Sequence, residues 1–184
     1  AALSVASMDT SGQLLNNLSA QYYLPTTAQP GITFKSAVAL SNGDLVFVGQ
    51  HRGRLAFGTD TLPLTSQEAN RDRYFYIRTT PSLQLVWYRS FGSFMPKYRF
   101  TIGICADPAD NVYSEAQLTF GESFVMGTDT VENFDLVNGK SAFFKIDGNG
   151  NPLWIKSMQS GFSSTPYSVT WADDNSGIYA SGVY

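Results

Sequence analysis

Short segments rich in Val, Ile, Phe, Tyr and Trp recur along the chain, each bounded by Gly, Asn, Asp or Pro. Apolar and polar positions alternate within them, and no stretch keeps an apolar period of 3.6 residues for three turns. The pattern predicts strands throughout. The best helical stretch, TSQEANRDR (65–73), has Ser66 as a cap but little apolar face. It reads as a loop with at most one helical turn.

The strand segments repeat. SAFFKIDGNGNPLWIKS (141–157) lies over YFYIRTTPSLQLVWYRS (74–90) without a gap at an offset of 67, matching Trp154 to Trp87 and Ser157 to Ser90. SVASMDTSGQLLNNLS (4–19) repeats it more faintly at an offset of 138, with Asp9 on Asp147, Gly12 on Gly150 and Leu15 on Leu153. A second motif recurs as NGDLVFVG (42–49), ADNVYSEA (109–116) and NSGIYASG (175–182), at steps of 67 and 66. Between the two lie FGTDTL (57–62) and MGTDTV (126–131), sharing Gly-Thr-Asp-Thr at an offset of 69. Three matches in one order and at nearly one spacing mark a repeat architecture. Each unit reads as strand, strand, a long connection holding Gly-Thr-Asp-Thr, strand, tight turn, strand. The chain divides into a half-unit at 1–20, units at 33–90 and 99–158, and a half-unit at 167–184.

This arrangement closely resembles the bacterial β-propeller repeat often called the SBBP repeat. Asp107, Asn111, Val112 and Tyr113 in the second-strand motif match its pattern, as do Lys145, Asp147, Asn149, Gly150, Asn151 and Trp154 in the hairpin. The match extends over almost the whole chain. It departs at Asn16 where the family has Trp, at Thr80 where it has Asp, and at Ala116 where it has Gly. The resemblance implies an all-β propeller of four-stranded antiparallel blades, with Trp87 and Trp154 packed between blades. It also implies a scaffold or interaction role in a large secreted or surface protein, as is common in the Bacteroidetes lineage. About three blades are expected here. Propellers close with 4–8, so the expectation is a part of a larger propeller, continued by a longer chain or completed in a larger assembly.

Composition narrows the partners. An apolar fraction of 43% with 15% charged residues is that of a chain that folds. No run of eighteen apolar residues exists, so no membrane insertion is expected, and AALSVASMDTSGQLL has neither the basic n-region nor the apolar h-region of a signal peptide. A net charge of -3 without a Lys/Arg cluster leaves no electrostatic footprint for nucleic acid. Cys105 is alone, so no intrachain disulfide is possible, which fits a reduced compartment and equally a bacterial surface protein. The wealth of Phe, Tyr and Gly with few Lys leans toward an extracellular or outer cell surface location.

Candidate chemistry is sparse. Asp147, Asn149 and Asn151 have the D-x-N-x-N spacing of the first half of a calcium loop, but Met158 and Gln159 stand where a bidentate Glu would follow. The equivalent loops, DTSGQ (9–13) and TPSLQ (80–84), do not keep the set, so a hairpin turn is the preferred reading and the three remain calcium candidates. His51, the only histidine, lies in GQHRGR beside Arg52 and Arg54 and reads as a solvated loop residue. Cys105 falls in an alternating apolar stretch and reads as buried. Asp107, Glu115, Glu122, Asp173 and Asp174 are the carboxylates from which a glycosidase pair would have to come. Asp107 and Asp173 look like copies of one repeat position, which favours a turn role. Asp147 stands seven residues before Trp154 where a sialidase-type Asp box wants five, and a quinoprotein would have shorter units and vicinal cysteines. Thr61 and Thr130, in Asp-Thr-apolar triplets, resemble Bacteroidetes O-glycosylation acceptors, although repeated turn chemistry explains the triplets equally. The expectation is a non-enzymatic scaffold, adhesion or protein- or glycan-binding module without a cofactor. The alternatives are a propeller enzyme acting on carbohydrate or quinone-linked substrates, and a calcium-dependent adhesin.

Overall fold

The structure is a computed structural model, and it describes residues 2–23, 31–52, 54–57, 60–61, 72–93, 103–118, 121–134, 139–158, 165–174 and 176–183. Every regular element among them is a β-strand. In chain order these are β1 (Ala2–Met8), β2 (Leu14–Tyr23), β3 (Gly31–Ala39), β4 (Leu45–Arg52), β5 (Arg54–Phe57), β6 (Asp60–Thr61), β7 (Asp72–Thr79) and β8 (Leu85–Ser93). They continue as β9 (Ile104–Ala106), β10 (Val112–Leu118), β11 (Glu122–Met126), β12 (Asp129–Asn133), β13 (Lys140–Ile146), β14 (Pro152–Met158), β15 (Thr165–Trp171) and β16 (Ile178–Val183).

Four antiparallel sheets result, ordered β1-β2-β5-β6, β12-β11-β8-β7-β4-β3, β14-β13-β10-β9 and β15-β16. The strand order within them departs from the sequence-based expectation. The second Gly-Thr-Asp-Thr copy is not a loop but the turn (Gly127, Thr128) and the start of the second strand of a hairpin, and in the first copy Asp60 and Thr61 form β6 against β5, while residues 58–59 lie outside the described residues. That hairpin leaves its own unit: β5 pairs with β2, and β11 pairs with β8. Each hairpin therefore extends the outer strand of the preceding sheet. Residues 65–71 of the stretch read as a loop lie outside the described residues, while Asp72 and Arg73 already belong to β7.

Burial explains the composition of the strands. The central strands read as unbroken apolar runs, Val46-Phe47-Val48 in β4 and Tyr74-Phe75-Tyr76-Ile77 in β7, because both of their faces are covered. The edge strand β3 alternates instead, with Ile32, Phe34 and Val38 half-buried between exposed Thr33, Lys35 and Ala37. Three cores separate the four sheets. Leu55 and Phe57 of the first sheet meet Phe75 and Ile77 of the second. The other face of the second sheet, with Val46, Val48, Tyr74 and Tyr76, meets Val112, Ala116, Phe144 and Ile146 of the third. Phe124, delivered by the β11–β12 hairpin, stacks on Phe144 at 5.2 Å between centroids. Cys105, Tyr113 and Trp154 of the third sheet meet Val169, Trp171 and Ile178 of the fourth. Sheets so arranged follow one another in chain order, each sharing a core with its neighbours, as in repeat proteins.

Candidate functional site

Five of the hairpin turns share one hydrogen-bonded polar geometry. Asp9–Gln13, Leu40–Asp44, Thr80–Gln84, Asp107–Asn111 and Asp147–Asn151 share one geometry: the first amide donates to the fifth carbonyl, and the fourth amide donates back to the first carbonyl, all at 2.8–3.0 Å. The fourth residue is left-handed each time, namely Gly12, Gly43, Leu83, Asp110 and Gly150. This is the three-residue hairpin loop with a left-handed bulge residue. In three of the turns an Asp holds the loop from inside. Asp147 Oδ1 accepts from the Asn149 and Asn151 amides at 2.9 and 2.8 Å, and its Oδ2 from Asn151 Nδ2 at 2.9 Å. Asp9 and Asp107 act in the same way. Burial pushes the Asp147 carboxyl up, but its hydrogen bonds from Asn151 and Asn149 outweigh that and hold it below the usual value. The three calcium candidates thus form one hairpin turn, and Asp147 already accepts hydrogen bonds from the other two. Among the described residues no group of three His, Cys, Asp or Glu side chains is placed to hold a metal.

Successive units are joined at these turns. Ser41 donates through its amide and hydroxyl to the two Asp110 oxygens, at 2.7 and 2.8 Å. Arg78 pairs with Asp44 at 2.8 Å and donates to the Gly148 carbonyl at 2.6 Å, which also accepts from Trp87 Nε1 at 2.9 Å. Arg89 lies 5.7 Å from the Trp87 ring centroid. Gly150 is required here, because a Cβ on it would stand 3.1 Å from the Trp87 ring at a φ of +79°. Trp87 is half-buried and packs against the turn of the next unit. Trp154, its copy, is also half-buried and lies 6.1 Å from the Tyr113 ring.

Among the described residues, Asp107 is the carboxylate with the most partners. Its Oδ2 accepts from Asn111 Nδ2 at 2.8 Å and from the Tyr113 hydroxyl at 2.9 Å, with Lys145 Nζ at 3.5 Å. Burial pushes this carboxyl up, yet the Asn111 and Tyr113 hydrogen bonds and the Lys145 charge bring it below its ordinary value. Asp173 is not its copy. The β15–β16 turn is one residue longer, with Ala172 donating to Gly177, so Ala172 takes the opening position and Asp173 is exposed inside the turn. Asp174 accepts from the Ser176 amide at 2.9 Å. The Glu122 side chain lies outside the described residues.

His51 is a correction. It lies inside β4 opposite Arg73, is only 1% exposed, and places Nε2 3.0 Å from Ser90 Oγ, which also accepts from Arg73 Nε at 3.0 Å. The polar string GQHRGR hides this because the β7 ladder carries β4 through to Arg52. Arg73 and His51 bind Ser90 across three strands. Arg73 also approaches the Ser90 carbonyl at 3.4 Å, so the three form a cross-strand bridge. Cys105 is buried, and burial with the Asp107 and Glu115 charges pushes its thiol up to about 11, far from a reactive thiolate.

Glu115, read from the sequence only as one of five candidate carboxylates, has the most unusual surroundings of the described ones. It sits mid-strand in β10, fully buried, with neither oxygen in a well-formed hydrogen bond among the described residues, although the Gly103 amide lies near enough to pull on it. Burial pushes its carboxyl up to about 7, against a partial opposing pull from the Gly103 amide. Gly103 itself must be small, because a Cβ there would stand 2.6 Å from the Val169 amide nitrogen and 3.1 Å from Glu115 Oε1. The repeat offered a signal, since the position 67 residues earlier holds Val48, an interior residue of the preceding core.

Thr130 is exposed on β12, and Thr61 lies on β6, the corresponding strand of the earlier hairpin. These features belong to an all-β chain of repeated antiparallel sheets. No family model matches the chain, and no curated protein matches it either.

Proposed function

We propose that the chain is a propeller-type segment, of the kind the SBBP repeat resemblance implies, that serves as a non-enzymatic scaffold or binding module on the outside of a cell. The observation that carries this reading is the interlock, in which the hairpin of each later unit is built into the sheet of the unit before it. Such a joint ties units into one rigid array and supplies a framework rather than a reaction centre. The polar side chains near the turns support it further, since Asp9, Asp107 and Asp147 spend their oxygens on the turn amides. A protein or glycan partner would meet the array at its exposed strands and turns, and the Asp129-Thr130 and Asp60-Thr61 hairpins would carry any O-linked sugar. A propeller enzyme and a calcium-dependent adhesin remain the rival readings, and no specific feature of this geometry favours either.

The test pairs a glycan array and a panel of chromogenic glycosides with antibody labelling of intact producing cells. Surface labelling, with glycan or protein binding and no turnover, is expected. Turnover by the purified chain would overturn the non-enzymatic reading, and labelling only after cell lysis would overturn the location.

A further inference from the structure

The joint between the third and fourth sheets carries an ionisable group where the joint before it carries a hydrocarbon. Val48 on β4 lies in the core shared by the second and third sheets. Its repeat counterpart, 67 residues on, is Glu115 on β10. Alternation along β10 turns Val112, Ala116 and Leu118 into the core shared with the second sheet and Tyr113 into the core shared with the fourth, so Glu115 faces the fourth sheet as well. The backbones of the two sheets meet there at Gly103. A Cβ on that residue would stand 2.6 Å from the Val169 amide nitrogen, 3.0 Å from the Ser168 Cα and 3.1 Å from Glu115 Oε1. The carboxylate therefore sits at the seam between β10 and β15, fully buried, with only the Gly103 amide pulling on it.

The groups on the surrounding strands do not neutralise it. On β9 the Cys105 thiol stays protonated through neutral pH. On β10 the Tyr113 hydroxyl donates to Asp107, in the turn before that strand. On β13 the residue opposite Glu115 is Phe143, and Lys145, opposite Tyr113, turns its amine to Asp107 at 3.5 Å. On β14 Lys156 pairs with Phe143 but is exposed. The described side chains of β15 include no ionisable group, and β16 brings only the exposed Tyr179 phenol; the Tyr167 and Glu122 side chains lie outside the described residues. An ionised Glu115 is thus a buried charge without a counter-charge, which disfavours the closed joint. The protonated side chain packs there as a neutral group.

We propose that this joint is a proton-operated latch: protonated Glu115 lets the third and fourth sheets close on each other, and once it gives its proton to water, β15 parts from β9 and β10 so that water solvates the carboxylate. Burial raises the carboxyl to about 7, which places the change near neutral pH. Because the value is raised on closing, the closed joint is favoured below it and weakens as pH rises through it. The preceding joint, with Val48 at this place, gains no such dependence from the position. The units on either side of Glu115 are therefore coupled firmly in acid and loosely in alkali, whether or not the array is a propeller.

The chain carries its own probe. Cys105, its only cysteine, is buried in the core of this joint with Tyr113 and Val169. The experiment follows its reaction with a dipyridyl disulfide at pH 5 and pH 8.5, in the 184-residue chain and in Glu115→Gln. Dividing the parent rate by the variant rate at each pH cancels the pH dependence of the reagent and of the thiol. The quotient is expected to rise on the order of 50-fold between the two pH values, as values of about 7 with the joint closed and 4.5 with it open require. A quotient that does not change with pH would overturn the latch. So would a parent rate at pH 8.5 no greater than the unfolding equilibrium from denaturant titration allows, since the joint would then open only when the whole chain unfolds. Glu115→Val, with the residue type of the preceding joint, is expected to react as slowly as the Gln variant at pH 8.5, and reaction as fast as the parent would show that residue 115 does not hold the joint and overturn the proposal.

Discussion

Replacing Glu115 with Gln removes a carboxylate that is fully buried with no well-formed hydrogen bond among the described residues, and the consequence depends on pH. Around it, Cys105 on β9 stays protonated through neutral pH, while Asp107 in the adjoining turn stays ionised. Lys145 on β13 stays charged, and β15 contributes Ser168 and Val169 near Gly103. Glu115 alone in this neighbourhood changes charge between pH 5 and pH 8.5, as its folded value is about 7 against an ordinary 4.5. A carboxyl raised on folding binds its proton more tightly in the folded chain. The stability it allows is therefore fully present below the unfolded value and is lost as pH rises through the folded one. The interval corresponds to roughly 3 kcal/mol. Glu115→Gln keeps the shape and cannot ionise. It is expected to match the parent at pH 5 and to exceed it by about 2–3 kcal/mol at pH 8.5. Denaturant midpoints followed by fluorescence of Trp87, Trp154 and Trp171 measure both, and subtracting parent from variant cancels every group common to the two. An equal difference at both pH values would refute the reasoning, since it would mean that Glu115 is solvated or paired in the folded chain. Glu115→Val, the residue that the repeat itself places at Val48, tests the same point without a polar atom.

Acid should act oppositely on the turns. The lowered Asp107 carboxyl contributes stability above about pH 4 that disappears as pH falls through its folded value, and Asp107→Ala should cost about 2 kcal/mol at pH 7 and progressively less as the parent is acidified; a pH-independent loss would assign the effect to packing. EDTA should leave the melting temperature unchanged, because Asp147 is already satisfied by turn amides, whereas a drop reversed by calcium would reinstate Asp147, Asn149 and Asn151 as ligands. Trp154→Ala should cost about 2 kcal/mol by thermal or chemical denaturation, less than the 3–5 of a fully buried Trp, since Trp154 is half-buried against Tyr113; a neutral result would move it to the candidate ligand surface. Gly150→Ala should cost about 1–3 kcal/mol from positive φ and the Trp87 contact together, and a cost under about 0.5 kcal/mol in the same assay would show that the ring gives way.

The all-β class and the shared turns were legible because each rests on local pattern: alternation for the strands, and Asp, Gly and Asn at fixed places for the turns. The partner of the Gly-Thr-Asp-Thr hairpin was not, since nothing in residues 122–133 names β8 as the strand that receives them. His51 was misread because a polar local string was overridden by a ladder formed with residues about twenty positions away. Glu115 was weighed only as one carboxylate among five, although comparison with Val48 placed it in a core.

Two departures from the repeat fall at the preceding joint between units. In the complete pair of units, Trp87 lies on the strand and the facing turn must carry Gly150 to leave room for the ring. One unit earlier the strand position holds Asn16, and the turn holds Leu83, left-handed at a φ of 59° and only 4% exposed. Taken singly, Asn16 is a missing Trp and Leu83 a strained residue where glycine belongs. Asn16 is a smaller side chain than Trp and Leu83 a larger one than glycine, and burial of the Leu83 side chain offsets a backbone cost of about 1–2 kcal/mol. The turn keeps the same two hydrogen bonds with Leu83 as it does with glycine, because here the side chain that makes the left-handed backbone costly is buried.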